Sequence, residues 1–251
     1  MRYLGFVEYD GTSYSGFQKQ ENKDTIEYQI ERAILLMTMI ETKISVAGRT
    51  DKGVHALNQA FHFDSTLDLS SEIWTTSLNL RLNNDIRIKR VLKVNSFFHA
   101  RHSVDYKIYK YVIAKKPSSA FTTRFENYVK DFKVELVKDE IRCLEGTHDY
   151  LGYCKKNKLE SNTVRTIDKI EIVEDINSYS FYFYGRSFLR HMIRIIMGLI
   201  IEVGRGTKDK KLINEVLLTK HKEGYVASSS GLYLVDVIYK EEDIKLNEEI
   251  S

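Results

Sequence analysis

A short segment bracketed by two glycines carries the residue best suited to chemistry in this sequence. It reads Ala47-Gly48-Arg49-Thr50-Asp51-Lys52-Gly53-Val54-His55. Glycine permits positive φ and the close approach of another backbone, so Asp51 is expected on a rigid loop between two strands. A carboxylate held there can act as a nucleophile, a general base or a metal ligand, and Arg49 would keep it ionised. The same spacing fits a tight turn whose arginine–aspartate pair only fixes the loop, and spacing alone does not separate the two interpretations.

Other groups of polar residues offer weaker chemistry. His99 and His102, or the adjacent pair His148-Asp149, would begin a metal site, but no third ligand follows at a convincing spacing. The run Ser228-Ser229-Ser230-Gly231 has neither the form of a phosphate-binding loop nor that of a nucleophile elbow. We therefore expect no metal site.

The composition is that of an ordinary globular protein. Of 251 residues, 43% are hydrophobic and 29% are charged, which is usual for a folded chain. No apolar run is long enough to span a membrane, and the N-terminal residues lack a signal-peptide layout. The two cysteines have neither metal-ligand spacing nor the count of a disulfide framework. We therefore expect a cytoplasmic protein with reduced thiols and no membrane partner.

Basic residues are clustered, although the net charge is only +3. The clusters lie at residues 101–116, 155–158 and 205–211. Clustering against a near-neutral total is what binding to a phosphate backbone would use. Any single cluster also fits an ordinary solvated face, so the clusters indicate a nucleic-acid partner only when taken together.

Hydrophobic periodicity predicts the elements that must position Asp51. Alternating residues predict strands, and apolar residues at i, i+3 and i+4 predict helices. The first half follows the order β-α-β-β-α-β, which is the split βαβ arrangement of ferredoxin-like domains. Strands are expected at residues 3–9, 44–46, 59–63 and 85–94, with helices at residues 26–37 and after Ser70 or Ser71.

The second half nearly repeats this order. Strands are expected at residues 106–114, 164–173, 179–185 and 232–239, and helices at 134–144, closed by Gly146, at 187–203 and at 212–218. We therefore predict the α+β class, with two ferredoxin-like domains at residues 1–104 and 105–251. Their antiparallel or mixed sheets would form a central sheet, with a basic cleft between the domains as the binding site.

The glycine-bracketed segment resembles a known active-site motif. Gly48-Arg49-Thr50-Asp51-x-Gly53-Val54-His55-Ala56 is similar to the motif of the TruA-type tRNA pseudouridine synthases. Phe17 stands where this family usually has tryptophan, and the serine run near residue 229 lacks the usual proline. Further matches occur in the family's order at residues 9–18, 98–101, 107–111, 146–150, 165–167, 188–194 and 231–234.

The resemblance implies an activity and partners. Members of this family convert uridine to pseudouridine in the anticodon stem-loop of tRNA, typically at positions 38 to 40, and need no cofactor. They are homodimers of two-domain α/β subunits with a basic cleft. We therefore expect a tRNA-modifying isomerase whose partners are tRNA and a second copy of the chain.

The resemblance also implies residue roles. Asp51 matches the catalytic aspartate, and Arg194 matches the arginine that pairs with it. Tyr109 matches the tyrosine that stacks on the target uracil, and Leu232 matches an apolar residue that packs against the base. These four residues are the expected centre of the site.

Several further residues are expected to contact the substrate. Arg49 and His55 are placed in the sequence to brace the gap left by a flipped base. Lys107 shares a strand face with Tyr109. On the predicted helix at 187–203, Arg190 is four residues from Arg194 and would share its face, as would Arg186 at the helix start.

Two other classes of function remain open from the residues themselves. One is a non-catalytic RNA-binding protein on the same scaffold, although binding a polyanion does not require a carboxylate such as Asp51. The other is a metal-dependent nuclease that uses Asp51 with His55, which chelation would inactivate. For an isomerase, the carboxylate could add to C6 of the pyrimidine, attack C1′ of the ribose or remove a proton.

Overall fold

The computed structural model describes residues 1–155 and 162–244. Most of the expected basic cluster at 155–158 therefore lies outside the described residues. Among the described residues, the strands are β1 (Arg2–Tyr9), β2 (Ser45–Val46), β3 (His55–Asp64), β4 (Ile86–Val94), β5 (Val104–Ala114), β6 (Asn127–Tyr128), β7 (Gly146–Asp149), β8 (Val164–Ile167), β9 (Lys169–Glu174), β10 (Ser178–Gly185) and β11 (Leu232–Tyr239). The α-helices are α1 (Ile26–Thr38), α2 (Ser71–Asn79), α3 (Met192–Gly204), α4 (Leu212–Thr219) and α5 (Glu241–Ile244).

The chain divides into two compact units that differ from the expected domains at one end. Unit 1 comprises Met1–Lys107 with the residues from Tyr233 onward, and unit 2 comprises Ile108–Leu232. The C-terminal strand thus belongs to the unit that contains the N-terminus, because Tyr233 of β11 pairs in parallel with His55 of β3. Hydrophobic alternation predicts a strand but does not identify its partner.

Unit 1 is built on a mixed sheet in the order β4-β1-β3-β11. Strand β1 is antiparallel to both neighbours, with Leu4 opposite His62 on β3 and opposite Leu92 on β4. The fully buried Trp74 of α2 lies against the rings of Tyr3 and Phe63 at centroid distances of 5.2 and 5.0 Å. This aromatic cluster anchors the helix to the sheet.

The local signals at the start of α2 are confirmed. Of the two expected capping residues, Ser70 is the one used, and its hydroxyl oxygen accepts a hydrogen bond from the backbone N–H of Ile73 at 3.3 Å. Such a side-chain cap satisfies one of the amide groups left open at the start of a helix.

Unit 2 contains a sheet in the order β5-β10-β9 and a separate hairpin of β7 and β8. Strands β9 and β10 are antiparallel, with Tyr182 opposite Glu171, and β5 pairs in parallel with the short β6. The α+β class is confirmed, and each unit contains both parallel and antiparallel pairs.

Three predicted elements of unit 2 are wrong in detail. The helix expected at 134–144 is two short 3₁₀ turns, and Gly146, with φ of +98°, begins β7 instead of closing a helix. The strand expected at 164–173 breaks at Asp168, so that β8 pairs with β7 and β9 pairs with β10. The helix expected from 187 begins only at Met192, because His191 has a left-handed φ of +60° that interrupts the helix.

No helix within residues 1–155 and 162–244 is long and apolar enough to cross a membrane.

Candidate active site

Asp51 lies in unit 1 on a short loop between β2 and β3, and its side chain is partly exposed. The backbone N–H of Val54 donates to Asp51 O at 3.1 Å and closes a turn. Gly53 occupies this turn with φ of +77°, which glycine adopts without a steric penalty. The expectation that a glycine shapes this loop is therefore confirmed at position 53.

A second loop, at residues 10–17, supports the Asp51 loop from one side. The backbone N–H of Phe17 donates to Thr50 O at 3.1 Å. A Cβ added to Gly16 would lie 2.9 Å from Thr50 O, and one added to Gly11 would lie 2.0 Å from Val54 O. The two loops therefore approach so closely that only glycine fits at positions 11 and 16.

Thr50 anchors the residue immediately before the carboxylate. Its buried hydroxyl forms a 2.8 Å hydrogen bond with the hydroxyl of Tyr9 on β1. Burial raises the pKa of Tyr9 to about 12, so the phenol stays protonated at neutral pH. On the opposite side of the loop, the fully buried Gln59 donates from Nε2 to Gly48 O at 2.6 Å.

Lys107 supports the first residues of the loop from β5. Its side chain is only 7% exposed, and its Nζ donates to Ala47 O at 2.7 Å. Burial, and to a lesser extent the charge of Arg101, lowers the pKa of Lys107 to about 8. A Cβ added to Gly48 would lie 3.0 Å from the same Nζ, so the loop lies directly on the ammonium group.

His55 is also enclosed, with 1% of its surface exposed. Its ring stacks on Tyr233 at a centroid distance of 4.9 Å, and its Nδ1 accepts the backbone N–H of Gly11 at 3.2 Å. A carboxylate oxygen of Asp10 lies 3.2 Å from the same nitrogen. The Gly11 N–H can donate to Nδ1 only when this nitrogen carries a lone pair and no proton. If Nδ1 carried a proton, it would instead donate to the Asp10 carboxylate.

The remaining residues expected at the site belong to unit 2. Tyr109 is buried on β5, with its ring edge-on to Phe188 at 5.1 Å. Arg194 is partly buried on α3, and its Nε donates to Ala227 O at 2.8 Å. Leu232 is buried at the start of β11. The expectation that the helix around Arg194 is largely buried is confirmed, since nearly every residue of α3 is buried.

The arginine stripe expected on one helix face is wrong. Arg186 and Arg190 are exposed and lie in the irregular segment before α3, so they share no helical face with Arg194. Apolar spacing continues through this segment, but the left-handed His191 ends the regular backbone. Arg49 is exposed beside Asp51.

Sequence reasoning missed the residues that hold the loop. Tyr9, Gly11 and Gly16 lie in the 9–18 segment that resembles the family, but the sequence assigned them no role in holding the loop. Gln59 was expected only as the first residue of a strand. A signal was present in Gln59, because a polar residue facing the interior of a strand needs a hydrogen-bond partner.

The weaker groups of polar residues have structural partners. Ser228 caps a 3₁₀ turn at Ser229–Gly231, and Tyr111 donates to Ser228 O at 3.0 Å. The rings of His99 and His102 contact each other at a centroid distance of 4.3 Å in a tilted arrangement. Within the described parts of the chain, no group of three or more His, Cys, Asp or Glu side chains is arranged to hold a metal ion.

An α+β chain with a carboxylate held on a rigid loop fits many enzyme families, and sequence comparison identifies one. A family model described as tRNA pseudouridine synthase matches residues 6–103 and 141–240. The matched ranges include the Asp51 loop, the loop at 10–17 and the segment around Arg194. The chain belongs to the tRNA pseudouridine synthase family.

Individual relatives match over nearly the whole chain. The tRNA pseudouridine synthase A 1 of Bacillus cereus is 36% identical over 238 residues, which cover 93% of this chain and 96% of the relative. The tRNA pseudouridine synthase A of Anoxybacillus flavithermus is 35% identical over 237 residues, with coverage of 93% and 96%. That of Aster yellows witches'-broom phytoplasma is 34% identical over 240 residues, with coverage of 94% and 98%.

Proposed function

We propose that this protein isomerises uridine to pseudouridine in the anticodon stem-loop of tRNA, at positions 38 to 40, with Asp51 as the essential carboxylate. Family membership and the names of the relatives support the reaction and the tRNA substrate. The observation that carries the role of Asp51 is its loop, whose backbone is held on three sides by Phe17, Gln59 and Lys107.

The proposed reaction requires an oriented carboxylate and no net oxidation or reduction. The N1–C1′ bond of uridine breaks, the base rotates, and C5 bonds to C1′. The proton on C5 is lost to solvent and N1 takes up a proton from solvent, so the product is an isomer of the substrate. Asp51 would add to C6, attack C1′ or remove a proton, and in each case it must be ionised and held in place. No cofactor is needed to balance these steps.

The other roles follow from the family match. Arg194 is proposed as the cation that pairs with the catalytic aspartate, Tyr109 as the ring that stacks on the target uracil, and Leu232 as an apolar contact of the base. The exposed Arg49 and Arg190 are proposed to contact the RNA. The proposal also includes a homodimer acting in the cytoplasm.

Lys107 and His55 are proposed to act differently from the other site residues. Both were expected to contact the substrate, but both are almost fully enclosed. Lys107 binds a backbone carbonyl of the Asp51 loop, and His55 binds a backbone N–H of the 10–17 loop. Enclosed groups with such partners support a role in positioning Asp51, which is the role we assign to them.

Tritium release from [5-³H]uridine-labelled tRNA in the presence of EDTA tests the proposal. Wild-type protein should release tritium, and Asp51→Ala should lower the rate by about 10⁴-fold or more, as removal of a nucleophile does. Asp51→Asn keeps the shape of the side chain and should be equally inactive. Asp68→Ala, which removes an exposed carboxylate of the same unit, is the matched control.

The possible results separate the alternatives. Equal release by wild type and Asp51→Ala would refute the role of Asp51. Binding of tRNA without any release by wild type would favour a non-catalytic RNA-binding protein. Loss of activity in EDTA, with RNA cleavage when metal is present, would indicate the metal-dependent nuclease.

A further inference from the structure

The loop at residues 95–103, between β4 and β5, presents an unusual set of exposed side chains. Phe97 is 90% exposed, and Arg101 and His102 are exposed on the same loop. A single exposed apolar residue is common on protein surfaces. An exposed aromatic ring beside cationic groups, on a fixed backbone, is what proteins use to bind unpaired nucleotides.

The backbone on either side of Phe97 is fixed by Arg2. The Arg2 guanidinium donates to Ser96 O at 2.7 Å and to Phe98 O at 2.8 Å. It is itself held by Asp64, which accepts from Nε and Nη2 at 2.8 Å each. Phe97 therefore projects from a preformed position, and binding a base there costs little ordering of the loop.

The second half of the 95–103 loop is fixed by contacts among three histidines. The ring of His102 is tilted against that of His99 at a centroid distance of 4.3 Å, and His99 lies edge-on to the buried His62 at 4.6 Å. The backbone N–H of Ala100 donates to His62 Nδ1, and that of Arg101 donates to His99 Nδ1, both at 3.1 Å. Through His99 and His62, these contacts attach the exposed end of the loop to β3.

The electrostatic environment of this loop favours an anion. Burial and the charges of His102, Arg2 and Arg101 all lower the pKa of His99. Positive neighbours that disfavour a proton on His99 would attract a phosphate. Within the described residues Arg101 forms no ion pair, whereas Asp64 is already bound to Arg2.

Arg101 on this loop also affects a residue that supports the Asp51 loop. Burial, together with the charge of Arg101, lowers the pKa of Lys107. Lys107 in turn holds Ala47, at the start of the Asp51 loop.

We propose that the 95–103 loop is an additional RNA-binding site, at which Phe97 stacks on an unpaired base and Arg101, with His102, binds the adjacent phosphate. This proposal rests on the proposed function, because tRNA is its ligand. The stem-loop that carries positions 38 to 40 offers both unpaired bases and a continuous phosphate backbone.

Three substitutions at two positions, with two matched controls, test this proposal. Phe97→Ala should raise the Kd for an unmodified tRNA transcript by about 5- to 100-fold, which is the usual effect of losing one base stack. Phe97→Trp should retain affinity, because indole also stacks. Arg101→Gln should weaken binding and reduce the slope of log Kd against log salt by about one.

The controls lie in the same unit, at the end of α2. Leu80 is 78% exposed but is aliphatic and cannot stack, and Arg81 is an exposed arginine that donates to Ser77 O. Leu80→Ala and Arg81→Gln should therefore leave the Kd within about twofold of wild type. All four replaced side chains are exposed, so thermal melting should be unchanged.

A fully paired RNA duplex provides a further test, because it has no free base for Phe97. The Phe97→Ala effect should disappear on the duplex, whereas the Arg101→Gln effect should persist. Equal Kd values for Phe97→Ala and Leu80→Ala on tRNA would overturn the proposal. If wild type binds tRNA through Phe97 but releases no tritium, the proposed isomerase fails while the binding site stands.

Discussion

Replacing Lys107 with methionine tests how the Asp51 loop is held. In the folded protein the pKa of Lys107 is about 8, against 10.5 in the unfolded chain. Between these values the unfolded chain binds more protons than the folded protein. The free energy of unfolding contributed by this group therefore rises with pH from 8 to 10.5, and below pH 8 the folded protein bears the full cost of burying the charge. A difference of about 2.5 pKa units corresponds to about 3 kcal/mol.

The methionine variant changes two opposing quantities. It removes the cost of burying the ammonium group, but it leaves Ala47 O without the donor that now lies at 2.7 Å. An unsatisfied buried carbonyl costs about 1–3 kcal/mol. The two effects nearly cancel, so the stability of Lys107→Met at pH 7 should lie within about 2 kcal/mol of wild type.

The decisive quantity is the pH dependence of the difference in stability. We would measure urea unfolding of wild type and Lys107→Met from pH 7 to 10.5. The unfolding free energy of wild type minus that of the variant should rise by about 3 kcal/mol, most steeply above pH 8. Titration of other groups cancels in this difference.

A second lysine provides the control. Lys89 is exposed and also donates to a backbone carbonyl, Leu57 O, at 3.1 Å. Lys89→Met therefore reports what is lost when an exposed ammonium of this kind is removed. A flat difference curve for Lys107→Met would refute the reasoning, because Lys107 would then not be a buried cation in contact with the loop.

Two further predictions concern the packing of unit 1. Gly11→Ala should lower kcat for tritium release by about 10- to 100-fold, because the new Cβ would lie 2.0 Å from Val54 O and must displace the Asp51 loop. Ser13→Ala, at an exposed position of the same 10–17 loop, is the control. A wild-type kcat for Gly11→Ala would contradict the close contact with Val54 O. His62 is buried with a pKa lowered to about 4 by burial and by Arg2, so wild type should lose up to about 3 kcal/mol of stability relative to His62→Gln as the pH falls from 6.5 to 4. Urea unfolding across this range measures the loss, and a constant difference would show that His62 is not held neutral.

The elements of unit 1 could be predicted because their signals are local. The periodicity of α1, the cap at Ser70 and the alternation of β4 lie within each segment itself. The errors in unit 2 occurred where a local signal was overridden. Apolar spacing continues through 187–203, but one left-handed residue, His191, delays the helix until Met192.

The supports of the Asp51 loop could not be predicted in the same way. Thr50 and Tyr9 are 41 residues apart, and Lys107 and Ala47 are 60 residues apart. Nothing in the spacing of a lysine on β5 shows whether its ammonium group reaches solvent or a buried carbonyl. The type and position of Asp51 indicated chemistry, whereas the burial of Lys107 and His55 emerged only from the fold.

The way the loop is held determines what an Asp51 variant can show. The hydrogen bonds that hold the loop are accepted by the backbone carbonyl oxygens of Ala47, Gly48, Thr50 and Asp51. None of these bonds involves the side chain at position 51. The close approach of Gly11 to Val54 O likewise involves only the backbone. Asp51→Ala should therefore keep these contacts while losing the carboxylate. A loss of about 10⁴-fold in that variant, with an unchanged urea midpoint, would measure the chemistry of the carboxylate and not a collapse of the loop.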